Sequence, residues 1–173
     1  MTAQLGGSAA VSSQGAETSR LYLEGIIAGL IGAATIAIWF LFVDILSGRP
    51  LYTPTVLGTA LFRHSEGLAT PETLPVSLGI TLMYTWVHGL AFCVIGGVAA
   101  QLLALAEKNF HLGFGILLFF VVFEFGFVVA AFLFAEVVLH ALAWPAVLVG
   151  NLLAAAAMAG YFWRCHPNLR IGP

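Results

Sequence analysis

Four apolar runs, each long enough to cross a bilayer as a helix, constrain this chain more than any motif in it. They extend from about Tyr22 to Leu46, Leu78 to Leu105, Leu112 to Leu139 and Leu142 to Trp163, against the roughly 20 residues that a membrane helix needs. Barrel strands, about 10 residues of alternating polarity, do not read this way. Of the 173 residues 61% are hydrophobic and only 8% are charged, whereas a soluble domain carries about 25% charged residues to cover its surface. The predicted fold class is an all-α membrane protein, a four-transmembrane-helix bundle formed by one domain over residues 21–164, with the lipid bilayer as its first partner. No basic patch supports nucleic-acid binding.

The flanks and the longest connection read differently. Residues 1–20, rich in Ser, Gly, Ala and Gln, lack the apolar content to pack and are expected to form a disordered tail. Residues 165–173 form a short C-terminal tail. The first apolar run far exceeds the 7–15 residues of a signal-peptide core and has no small-residue cleavage site after it, so it is expected to be retained. The loop over residues 47–77 opens on Gly48-Arg49-Pro50, where glycine can end a helix and proline prevents its continuation. Thr53 before Pro54 predicts an N-cap and a short amphipathic interfacial helix over about residues 54–63, lying on the bilayer or folding back as a lid. Arg20, Lys108, Arg164 and Arg170 fall on the side of the termini, against Arg49 and Arg63 on the other. The positive-inside rule then predicts cytoplasmic termini, in a bacterial inner (plasma) membrane.

Packing signals are plain. Gly25 and Gly29, Gly96 and Ala100, Gly150 and Ala154, and Ala156 and Gly160 each stand four apart, the small-xxx-small spacing that lets membrane helices approach closely or form a homo-oligomer. Cys93 lies within the second run and Cys165 beyond the fourth, so no disulfide is indicated.

The chemistry rests on ionisable groups within these runs, because each is expensive in hydrocarbon. With a rise of about 1.5 Å per residue they separate into two levels. Asp44, Glu136 and His140 fall together near the outer surface, with Asn151 somewhat deeper. Glu136 and His140, four residues apart, share a helix face. His88 and Glu124 fall near mid-membrane on neighbouring helices, where a shared hydrogen bond or proton would satisfy both. Glu24, at the start of the first run, is expected to favour the positive end of its helix.

Three classes of function follow. The first is a structural or accessory component, or a subunit of a larger membrane complex, whose polar residues pin helix to helix. A proton-coupled or small-solute transporter would use His88 and Glu124 as its exchanging pair. A metal-dependent membrane enzyme would use Asp44, Glu136 and His140, although the di-iron Glu-x-x-His pattern is absent and no second copy of the Glu–His pair exists. Haem has no pair of histidines at matching depth, because His140 lies toward the outer edge and His111 at the opposite face. No cofactor is required by the sequence. The GxSxG, HExxH and CxxC signatures are all missing, which argues against a known enzyme class.

Overall fold

The computed structural model describes residues 3–63, 73–108 and 144–166. Among these, the chain forms α1 (Ala3–Leu46), α2 (Tyr52–Phe62), α3 (Leu78–Lys108) and α4 (Trp144–Cys165). Three contain stretches long and apolar enough to cross a membrane: Thr18–Leu46, Leu78–Ala106 and Pro145–Cys165. They correspond to the first, second and fourth expected runs. The third, with Glu124, Glu136 and His140, lies outside the described residues. Ile38, Leu82, Trp86 and Leu152 are all at least 60% exposed, a surface suited to hydrocarbon rather than water.

The helix α1 begins at Ala3, within the segment expected to be a tail. Nucleation is the costly step of helix formation, and the apolar run supplies it. Propagation toward the N-terminus then meets no proline, the first in the chain being Pro50.

The far end of α1 closes as the glycine there predicts. Gly48 adopts a φ of 70°. Its N–H donates to the Ile45 carbonyl at 3.0 Å, and the Arg49 N–H donates to that of Asp44 at 2.9 Å, the paired bonds of a Schellman motif. Leu51 follows at a φ of 65°, a left-handed conformation costing a non-glycine residue roughly 1–2 kcal/mol. The Arg49 guanidinium lies 3.9 Å from the centre of the Tyr52 ring across this turn.

The helix α2 folds back on α1 and α3. Its cap is Leu51, whose side chain makes no capping bond, and Thr53 lies inside the helix rather than capping it as expected. The buried face carries Thr53, Thr55 and Thr59 beside Val56 and Gly58, so it is threonine-rich rather than aliphatic. Thr55 spends its hydroxyl proton on the Leu51 carbonyl at 2.7 Å. Thr81 of α3 must therefore be the donor in the 3.2 Å contact between the two hydroxyls.

Small residues set the crossing of α1 and α3. A Cβ added to Gly96 would land on the Gly25 carbonyl and 2.6 Å from the Gly29 nitrogen, and one on Gly25 would fall 2.6 Å from the Gly97 Cα. Ala28, Ala100, Met158 and Phe162 continue this contact into α4 as a buried cluster. A second cluster, Phe40 and Val56, joins α1 to α2 and is flanked by Ala146 and Val147 of α4. Because backbone rather than a movable side chain blocks the space, Gly29→Val should destabilise the protein by about 3 kcal/mol or more. Gly89→Ala, at a position with nothing within 4 Å, should be nearly neutral; reversible unfolding in mixed detergent compares the two.

Candidate functional site

Asp44 sits in the last turn of α1, 3% exposed, with both carboxylate oxygens engaged. The Thr53 backbone N–H donates to Oδ2 at 2.8 Å, and the Thr53 hydroxyl donates to Oδ1 at 2.6 Å. The first N–H groups of a helix have no partner within it, and a negative charge is favoured at that end. Asp44 thus performs from α1 the capping that Leu51 cannot supply. A carboxylate expected in a cluster near the outer surface clamps α1 to α2.

A cavity of about 230 Å³ opens beside this clamp. Ile36, Phe40 and Leu41 of α1, Leu57 of α2, and Thr81, Tyr84, Thr85 and His88 of α3 contribute to its walls, together with Asp44 and Thr53. Asp44 and His88, expected at separate levels, therefore border one space. Most of the polar atoms around it are already committed to the protein. Thr85 donates to the Thr81 carbonyl at 2.8 Å, one turn back on the same helix.

His88 is an exception. Its ring is stacked on Tyr84 at a centroid distance of 5.6 Å and tilted against Phe92 at 4.7 Å. The Ala33 backbone of α1 makes a polar contact with the imidazole, yet Nε2 is buried with no partner in hydrogen-bond geometry. Thr59 Oγ1 is the other such side-chain atom among the described residues. An unmet hydrogen-bonding group costs roughly 1–3 kcal/mol when buried. The spacing of Tyr84, His88 and Phe92, four residues apart, puts them on one helix face. That ladder could have been read from the sequence; the cavity beside it could not.

A second polar cluster lies toward the other end of the spans. Glu24 is 9% exposed. It accepts from Arg20 Nε at 3.0 Å, and His166 Nε2 beyond α4 lies 3.1 Å from its other oxygen. Because α1 extends back to Ala3, Glu24 is not at a helix start, and the favourable helix-end charge expected there does not apply. The carboxylate instead bridges α1 to the end of α4. Trp39 joins the same two helices by donating from Nε1 to the Ala146 carbonyl at 2.8 Å. Gly150 makes room for it, since a Cβ there would meet the indole at 2.9 Å.

Of the expected site residues, Asp44, His88 and Asn151 lie in described helices, and Asn151 is half-buried on α4. Glu124, Glu136 and His140 lie outside the described residues, as do the contacts expected of them. Among the described residues no group of three or more His, Cys, Asp or Glu is arranged to hold a metal ion. Comparison with protein-family models, with characterised proteins and with solved structures finds no match to this chain.

Loss of the Asp44 clamp has a defined signature. Asp44→Ala strips two hydrogen bonds and leaves the Thr53 N–H unpaired, so it should cost about 2–4 kcal/mol. Thr53→Val retains the backbone donor and should cost about half as much. Equilibrium unfolding of both single variants and the double variant should show strong non-additivity.

Proposed function

We propose that this chain is a small polytopic integral membrane protein, a four-helix bundle serving as a structural or accessory component or as a subunit of a larger membrane complex. The observation that supports this reading is how its polar side chains are used. Asp44 clamps α1 to α2, Thr81 bonds α3 to α2, and Glu24 and Trp39 join α1 to the C-terminal helix region. Within hydrocarbon such bonds act as adhesive between helices, because lipid tails supply no hydrophobic drive for association. The excess of Arg20, Lys108, Arg164 and Arg170 over Arg49 and Arg63 supports cytoplasmic termini in a bacterial inner membrane.

A contact for a partner or a second copy is supported by α4. Ala156 and Gly160 are exposed, and a side chain added at Gly160 would meet nothing within 4 Å, unlike the glycines packed between α1 and α3. Purified gently from native membranes, the protein should co-elute with other proteins or further copies at fixed stoichiometry. Gly160→Leu should release them while leaving the melting temperature unchanged. A single free chain in every native preparation overturns the subunit reading.

His88 gives specific support to a second reading, a proton-coupled or small-solute transporter in which His88 and Glu124 exchange a proton. A buried imidazole with an unmet nitrogen is a group that a proton or a ligand would satisfy. His88→Ala and Glu124→Gln should then abolish proton-linked flux into liposomes while stability holds. Equal losses of folding in both variants would assign the pair to helix fastening. The metal-enzyme reading through Asp44, Glu136 and His140 is weaker, because Asp44 would have to surrender Thr53 to become a ligand.

A further inference from the structure

We propose that the cavity walled by α1, α2 and α3 is a binding site for a small uncharged amphiphile: a hydrocarbon ring or short chain bearing one hydroxyl or carbonyl. Its size is the first argument. A void of about 150 Å³ lined by aliphatic and aromatic side chains admits benzene, and this one measures about 230 Å³, room for a ring with a short alkyl chain.

The lining sets the chemistry of the body. Ile36, Phe40, Leu41 and Leu57 offer carbon. The hydroxyls of Thr53, Thr81 and Thr85 are committed to Asp44, Thr55 and the Thr81 carbonyl. These groups have little to offer a polar guest, and a molecule that is mostly hydrocarbon suits them.

The ionisable groups set the chemistry of the head. No lysine or arginine is among the described lining residues, so a carboxylate or phosphate would enter without a counter-charge. Asp44 turns both oxygens to Thr53 and has neither to spare. The remaining polar groups of the lining are the Tyr84 hydroxyl and the His88 imidazole one turn away on α3, whose Nε2 lacks a partner. A single neutral hydroxyl or carbonyl placed beside that nitrogen partners it and adds no buried charge. Leu51, held at a φ of 65° in the turn before α2, also lines the space; strained backbone of this kind tends to gather at ligand clamps.

The site stands whether or not the chain belongs to a larger complex, and whether or not His88 exchanges protons. It is tested with two probes: a phenol carrying a trifluorobutyl chain opposite the hydroxyl, and the same molecule without the hydroxyl. Fluorine NMR of the full chain in detergent should show a saturable bound resonance for both, with the phenol roughly three- to tenfold tighter, as one added neutral hydrogen bond implies. Ala37→Phe and Thr85→Leu, which fill the cavity from opposite walls, should each remove the bound resonance with helical circular dichroism and melting unchanged. If one of them does not fold, the other decides. His88→Phe should retain binding of both probes and lose the preference for the phenol. Absence of a saturable resonance in the wild type, or its persistence in the folded filled variants, overturns the site. A phenol preference that survives His88→Phe overturns the placement of the head.

Discussion

The described part of this fold depends on one buried carboxylate. Asp44 ends α1, and both of its oxygens are taken by Thr53. A charge at this position is tolerable because two donors meet it and because it faces the N-terminal end of α2. The clamp compels the chain to reverse within the turn after Leu46, which the Schellman bonds at Gly48 and Arg49 make possible. Once α2 is held there, Thr55 meets Thr81 and Val56 meets Phe40. A short helix that composition would leave on the bilayer surface becomes a wall of the interior.

The same accounting separates His88 from its neighbours. In hydrocarbon, water cannot complete a hydrogen bond, so polar atoms must find partners in protein or ligand. Thr53, Thr55, Thr81, Thr85, Asp44, Glu24 and Trp39 do so through bonds to a nearby helix or to the preceding turn of their own, while Thr59 Oγ1 does not. Nor does the Nε2 atom of His88. A histidine serving at that position solely for packing could be replaced by phenylalanine, which would extend the aromatic ladder from Tyr84 to Phe92 without an unmet nitrogen. The imidazole is the costlier choice, and that cost points toward a guest, a proton or a residue of another segment.

Much of this was legible beforehand, for identifiable reasons. Membrane helices announce themselves through length and hydropathy, and three of the four expected runs recur as such helices. The small residues at Gly25, Gly29 and Gly96 mark a close crossing because spacing of four is a property of a single helix. Relations between helices were harder to read. Asp44 and Thr53 are nine residues apart across a turn whose geometry rests on Leu51 adopting a left-handed φ, something its residue type disfavours. Glu24 and His166 are 142 positions apart, and the extension of α1 to Ala3 removes the helix end that the simpler reading of Glu24 assumed. Depth counting also places Asp44 and His88 at separate levels, because it treats each helix alone and overlooks a cavity spanning about two turns of α1 and of α3.

The cavity arises from the distribution of residue sizes along the crossing. Where Gly25 and Gly29 meet Gly96 and Gly97, the backbones of α1 and α3 touch. Farther along the pair, Phe40, Tyr84 and His88 stand where glycines stood, and the space between the helices is bordered by α2. A space bordered by an imidazole with an unmet nitrogen and a turn held in strain is better suited to binding a molecule than to stabilising the fold.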